Sequence, residues 1–243
     1  MSRSRGRAVE LRSSFPVKIC GVTRPEDAAA SVELGADLLG LNFYPPSPRY
    51  LELGPAREIA AAVAGRVPLV GVFVNRPPAE VERLVAEVGL DLVQFHGDEP
   101  PEEVARFGDR AIRVFRRETF PPAEEIEAYP EAWGFLFDVP HETLYGGTGE
   151  SWSYGAVARL PDLARRTAGR PVLLAGGIGP DNAAALRAMA QDSTARDAGE
   201  GDSPPVLGID VCSGVESAPG VKDRTSLERL FTEVWDGQIP SSS

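Results

Sequence analysis

Short apolar runs recur along the chain, and polar stretches with helical spacing separate them. The runs are VKIC, LLGLNF, LVGVFV, DLVQFH, AIRVFR, WGFLFD, PVLLAG and VLGIDV. They are rich in Val, Leu, Ile and Phe and mostly continuous rather than alternating, which is how strands buried on both faces read. Between them the pattern predicts helices over Glu26 to Leu34, Pro55 to Ala64, Pro78 to Val88, Pro100 to Phe107, Ala123 to Tyr129, Tyr154 to Arg166 and Asp181 to Ala190. A last helix is predicted from Thr225 to Trp235. Strand–helix alternation at this spacing means parallel βα units. Eight such units in 243 residues predict an α/β protein of the (β/α)8 TIM barrel class. A doubly wound open sheet is the alternative, but no glycine-rich dinucleotide fingerprint follows the first strand.

The polar segments set the domain limits. Residues 1–15 read as a flexible leader, 16–236 as one barrel domain and 237–243 as a frayed tail. The segment QDSTARDAGEGDSPP, residues 191–205, has no apolar periodicity and reads as a flexible insertion between the seventh helix and the eighth strand. No apolar run approaches the roughly 20 residues of a membrane span, and the leader lacks the apolar core of a secretory signal.

Charge narrows the partners. The formal net charge of −11 argues against a nucleic-acid binder, which needs a basic face. It leaves room for a small anionic substrate at a locally positive site. Lysine occurs only at Lys18 and Lys222, so arginine supplies the remaining positive charge. The two cysteines, Cys20 and Cys212, are no disulfide framework, and a cytoplasmic location follows. With only His96 and His141 in the chain, no histidine-based metal cluster is expected. Nothing in the composition separates a monomer from a homodimer.

In such barrels the active site lies at the C-terminal ends of the strands. Reactive residue types concentrate there. Gly176 and Gly177 end the seventh run, and Ser213 and Gly214 follow the eighth. Loops after strands seven and eight hold phosphate in this fold, and paired glycines present bare N–H groups to an anion. The alternative for glycines is tight turns alone, but two loops at the two expected positions favour phosphate. Asp138 ends the apolar run WGFLFD and suits a general acid with its pKa raised in a dry mouth; a capping aspartate is the plainer reading. The glycine-rich YGGTGESW that follows suits a lid. Cys20 ends the first strand, and Thr23 with Glu26 fits a capping box, so a helix start lies just beyond the thiol. A buried, inert cysteine is the plainer reading there. Arg49, in the proline-stiffened YPPSPRY, is suited to a carboxylate; spacing alone reads it as a solvated loop arginine. His96 is an inward hydrogen-bonding candidate, and Asp210 opens the stretch that leads into the last loop.

Taken in order, KICGVTRPEDA, GADLLGLNFYPPSPRY, GVFVN, VQFHGDE, FLFDV, YGGTGESWSY, LAGGIGPDN and DVCSGVESAPGVKD resemble the phosphoribosylanthranilate isomerase family from about Val17 to Phe231. The resemblance implies a phosphate-binding (β/α)8 barrel with no cofactor and a small phosphorylated substrate. It implies an Amadori rearrangement of N-(5-phosphoribosyl)anthranilate in tryptophan biosynthesis. On that resemblance Cys20 is the general base and Asp138 the general acid. Arg49 matches the arginine that recognises the anthranilate carboxylate, and the phosphate loops match Gly176, Gly177 and the stretch from Asp210 through Ser213 and Gly214; His96 and Asp210 are expected as further substrate contacts. Cys212 departs from the family pattern, where a small polar residue is expected. A histidine-pathway aminoaldose isomerase is a competing reading, but many of those use two carboxylates. A non-catalytic phosphosugar-binding barrel is another, and the presence of both Cys20 and Asp138 argues against it.

Overall fold

In the computed structural model, residues 9–11, 13–117, 119–138, 166–167, 169–196 and 206–235 are described. Eight parallel strands close into a barrel in chain order: β1 (Val17–Ile19), β2 (Leu38–Asn42), β3 (Leu69–Phe73), β4 (Leu92–Phe95), β5 (Ala111–Arg116), β6 (Gly134–Asp138), β7 (Val172–Ala175) and β8 (Leu207–Val211). Each of the eight apolar runs supplies one of them. β1 pairs with both β2 and β8, in register Lys18↔Leu38 and Ile19↔Val211, which shuts the ring.

The runs are continuous because both faces of each strand are covered. Leu39, Leu41, Phe95, Phe135 and Leu174 point outward into the layer beneath the helices, whereas Leu38, Val70, Leu92, Ile112, Leu136 and Leu173 fill the barrel interior. The described helices are α1 (Pro25–Leu34), α2 (Leu53–Val63), α3 (Pro78–Val88), α4 (Pro101–Val104), α5 (Ala123–Glu127), α6 (Ala183–Arg196) and α7 (Arg224–Val234). The helix expected over Tyr154 to Arg166 and the YGGTGESW loop lie almost wholly outside the described residues.

Three local expectations are corrected. Part of the leader is packed: Val9 and Leu11 lie against the interior cluster, Trp133 Nε1 donates to Val9 O at 3.1 Å, and Phe15 is buried. α6 continues to Arg196, so the first residues of the supposed insertion are helical; residues 197–205 lie outside the described set. The capping box does not form. Pro25 opens α1, Arg24 is the N-cap without a side-chain cap, and the Thr23 hydroxyl donates to Gly220 O. An element the sequence did not announce, the hairpin β9 (Glu216–Ala218) with β10 (Val221–Lys222), follows β8 and folds over the barrel mouth beside Cys20.

Candidate active site

The strand alternation puts Lys18 and Cys20 on the inner face of β1 and Asp210 and Cys212 on the inner face of β8. Lys18 is fully buried, and its Nζ donates to Asp210 Oδ1 at 2.7 Å. Gly40 on β2 opens the space beside them: a Cβ there would lie 2.8 Å from Cys20 Sγ and 3.1 Å from Lys18 Nζ. The sulfur and the ammonium therefore line one hole.

A second cation closes the pocket from the hairpin. Lys222 is buried, and its Nζ donates to Cys20 O at 2.5 Å, to Cys212 O at 3.2 Å and to Glu216 Oε1 at 2.8 Å. Glu216 in turn takes Arg49: Nε donates to Oε1 and Oε2 at 2.9 and 3.1 Å, and Nη2 to Oε2 at 2.6 Å. Arg49 is thus a fixed fork and not the solvated loop arginine that spacing alone suggested. Its Nη1 has no partner among the described residues. Gly21 lets its stem pass, since a Cβ there would lie 2.5 Å from Arg49 Cδ.

The charges set the protonation states. Cys20 is held well below the usual thiol range, first by the hydrogen bond from the Cys212 thiol, against burial, and then by the Lys18 and Lys222 ammoniums. Cys212 is pushed up, because its proton is shared with the Cys20 sulfur and its surroundings are dry. The two thiols therefore titrate as a pair, in which these shifts favour Cys20 as the anion. Asp210 is raised to about 7, by burial first and then by the Cys20 charge, with Lys18 opposing. For Lys18, burial pulls downward, but Asp210 and Cys20 outweigh it and raise it. Glu216 is lowered: burial works against the anion, and the Arg49 and Lys222 hydrogen bonds prevail.

Asp138 ends β6 on another wall of the mouth and is 25% exposed. His96 Nε2 stands 3.4 Å and Arg116 Nε 3.7 Å from Asp138 Oδ2. His96 Nδ1 pairs with Gln94 Nε2 at 3.1 Å, which orients the ring toward the carboxylate. The loop after His96 is anchored by buried Glu99, whose carboxylate accepts from Asn75 N, Gly97 N and Arg113 Nη1.

At the ends of β7 and β8, Gly176 and Gly177 take positive φ of 98° and 61°, conformations that favour glycine. The two loops touch, since a Cβ at Gly214 would lie 2.1 Å from Ile178 O. The backbone N–H groups of Gly176, Gly177, Ser213 and Gly214 donate to no acceptor among the described residues, and Ser213 and Gly214 are exposed. That leaves a set of amides suited to an anion.

The expected residues thus fall into three groups around one mouth: Cys20, Asp210 and Arg49; His96 and Asp138; and the two glycine loops. Asp210, expected at the substrate, is 7% exposed and engaged by Lys18. Cys212, which departs from the family pattern, sets its sulfur 3.9 Å from Glu216 Oε1. Sequence reasoning missed Lys18, Lys222 and Glu216. The readable signal, for Lys18 alone, was a lysine inside the apolar run VKIC.

A family model described as N-(5'-phosphoribosyl)anthranilate (PRA) isomerase matches residues 17–233. The chain is 41% identical over 222 residues to the N-(5'-phosphoribosyl)anthranilate isomerase of Halorhodospira halophila, covering 91% of this chain and 97% of that one. It is 42% identical over 214 residues to that of Myxococcus xanthus, covering 86% and 91%. A solved structure of phosphoribosyl anthranilate isomerase from Thermotoga maritima aligns with a TM-score of 0.73 at 33% identity, covering 90% of this chain and 98% of that one. Another, solved in complex with reduced 1-(o-carboxyphenylamino)-1-deoxyribulose 5-phosphate, aligns with a TM-score of 0.70 at 30% identity and the same coverage of 90% and 98%.

Proposed function

Because the chain belongs to the N-(5'-phosphoribosyl)anthranilate isomerase family, we propose that Cys20 and Asp138 carry out its isomerisation as general base and general acid. The reaction is the Amadori rearrangement of N-(5'-phosphoribosyl)anthranilate to 1-(o-carboxyphenylamino)-1-deoxyribulose 5-phosphate, in tryptophan biosynthesis. The observation that carries the assignment is the buried cationic pocket around the Cys20 sulfur, which faces the same mouth as Asp138.

Each role follows from the chemistry. Asp138 gives a proton to the ribose ring oxygen while the anilino nitrogen lone pair closes onto C1'. The C1'–O bond breaks, and the products are an open chain with a free hydroxyl and an iminium. Arg116 and His96 stand beside the carboxylate that remains. The iminium acidifies the C2' hydrogen, and the Cys20 thiolate removes it, so the C2'–H electron pair forms a C1'–C2' double bond and neutralises the nitrogen. The enolamine then takes a proton at C1' from the Cys20 thiol and releases the C2' hydroxyl proton, which replaces the one Asp138 gave up and leaves the aminoketone. Oxidation at C2' is balanced by reduction at C1', so no external electron acceptor enters. Each well-placed acid or base contributes about 10²–10⁴-fold.

Binding divides among the other groups. Nη1 of Arg49 is the donor available to the anthranilate carboxylate, and Glu216 fixes its direction. The amides of Gly176, Gly177, Ser213 and Gly214 take the phosphate. The two unpaired thiols suit the cytoplasm, where we place the enzyme.

The test is direct. Purified protein is mixed with freshly prepared N-(5'-phosphoribosyl)anthranilate, and loss of its fluorescence is followed. Turnover well above the spontaneous rate is expected; loss at the spontaneous rate would reject the function.

A further inference from the structure

Of the 25 basic side chains that the formal charge counts as Lys and Arg, only Lys18 and Lys222 are lysines. Both are buried, 0% and 4% exposed, and both reach the residue we assign as the base. Lys18 shares the hole left by Gly40 with Cys20 Sγ, and its other side is closed by Asp210 at 2.7 Å. Lys222 is fastened to the carbonyls of Cys20 and Cys212 and to Glu216. Everywhere else among the basic positions the chain uses arginine.

We propose that Lys18 and Lys222 are a two-lysine clamp that holds Cys20 as the ready base, Lys18 by facing the sulfur and Lys222 by fixing the β1–β8 backbone that carries both thiols. The proposal rests on Cys20 being the general base. The two are positioning residues, since neither is placed against the substrate.

The physical case has three parts. First, an ammonium is a compact point charge with three donors, and a guanidinium is a planar fork that needs more room. The space beside Gly40 is too small even for one methyl group, because a Cβ there would meet Sγ at 2.8 Å and Nζ at 3.1 Å. Second, the anions around the sulfur are balanced on geometry. Asp210 and the thiolate share Lys18; Glu216 shares Lys222 with the two carbonyls and also takes Arg49. Third, the other cation whose charge reaches the sulfur, Arg49, is held by Glu216, while His96, just past β4, bears on Asp210. A thiolate in a dry barrel with no cation beside it would revert to the thiol. The buried Lys18–Asp210 pair is expensive to desolvate and is poor evidence of stabilisation. Its geometry makes sense as a device for delivering one positive charge to one sulfur.

The test reads Cys20 without needing turnover. Iodoacetamide alkylation of Cys20 is followed across pH in the full chain, and the Cys20 peptide is quantified by mass spectrometry. The unaltered protein should alkylate with a midpoint well below that of an ordinary thiol, about 8.5. Lys18→Met should move the midpoint up and slow alkylation at pH 7 about tenfold or more, and Lys222→Met should move it in the same direction. Asp210→Asn should move it down, because it removes an anion beside the thiolate and leaves Lys18 in place. Opposite signs from the two partners of one ion pair separate electrostatic control from general disruption of the core. An ordinary midpoint in the unaltered protein would overturn the clamp. So would an unmoved midpoint in folded Lys18→Met. If the Met variants fail to fold, an unmoved or raised midpoint in Asp210→Asn overturns it. A protein that alkylates as expected yet shows no turnover leaves the clamp standing and removes the isomerase reading instead.

Discussion

Adding a single methyl group at Gly40 should disable the site without unfolding the barrel. Gly40 sits on the inner face of β2, and its missing side chain is the room that Cys20 and Lys18 occupy. In Gly40→Ala the new Cβ would lie 2.8 Å from Cys20 Sγ, 3.1 Å from Cys20 Cα and 3.1 Å from Lys18 Nζ. Comfortable separation between such atoms is about 3.5–4.0 Å, so the sulfur must retreat by roughly 1 Å. The backbone atom of Cys20 cannot yield as easily as a side-chain tip, because its N–H is bonded to Val211 O at 2.8 Å. Overpacking of this kind costs about 1–3 kcal/mol. For a chain of this size that lowers Tm by roughly 2–12 °C. The effect on chemistry is larger, since a displacement of about 1 Å at a reacting group can cost about 10²-fold. The expected result is therefore a folded protein, slightly less heat-stable, with kcat reduced about a hundredfold. The fluorescence assay measures kcat, and thermal unfolding measures Tm. Gly54→Ala, where a Cβ meets nothing within 4 Å inside α2, is the control and should leave both unchanged or raise Tm slightly. Gly40→Ala with kcat within twofold of the parent would refute the packing argument and detach Cys20 from the reaction.

Other substitutions sort the roles. Cys20→Ala and Asp138→Asn should each lower kcat by about 10²–10⁴-fold with little change in Tm, and normal turnover in either would remove that residue from acid–base duty. Arg49→Ala should raise KM for the substrate more than it lowers kcat, because the carboxylate donor is lost; an unchanged KM would exclude Arg49 from binding. Cys212→Ala should raise the alkylation midpoint of Cys20, since the thiol that donates to the sulfur is gone; an unmoved midpoint would show that the two cysteines do not share a proton.

The barrel was legible because a strand covered on both faces leaves a continuous apolar run, and each of the eight runs became a strand. Strand ends then pointed to the mouth, and Cys20, His96, Asp138 and the glycine pairs all open onto it. What stayed hidden depends on contacts far apart in the chain. Lys18 looked like an incidental charge in VKIC; only closure of β1 on β8 sets it against Asp210, 192 positions later. Glu216 and Lys222 looked like polar residues in a loop, because the hairpin strands are three and two residues long and carry no periodicity. The capping box failed for a related reason. Thr23 found a carbonyl at Gly220 on that hairpin, and with Pro25, which has no N–H to cap, at the first helical position the N-cap falls one residue on, at Arg24. The packed end of the leader escaped notice because Val9 and Leu11 are isolated apolar residues among polar ones.

The Lys18–Asp210 pair also makes a claim about stability whose sign can be checked. Asp210 has a folded-state pKa of about 7 against an ordinary 3.8, so the folded protein binds a proton there that the unfolded chain has already released. A raised folded-state value contributes stability below the unfolded pKa, and that contribution is lost as pH rises through the folded one. The window is therefore about pH 4 to 7. Asp210→Asn copies the protonated acid at every pH and keeps its proton count fixed. Across this window the parent should lose stability relative to the Asn variant, and the difference should level off above neutral pH. Urea unfolding of both proteins at several pH values between 4 and 8 measures it. A parent that gains on the Asn variant as pH rises would mean the ion pair stabilises the fold. The expected direction means the barrel carries an ionised aspartate at a cost, which fits a pair kept for the charge it presents to Cys20 rather than for its contribution to folding.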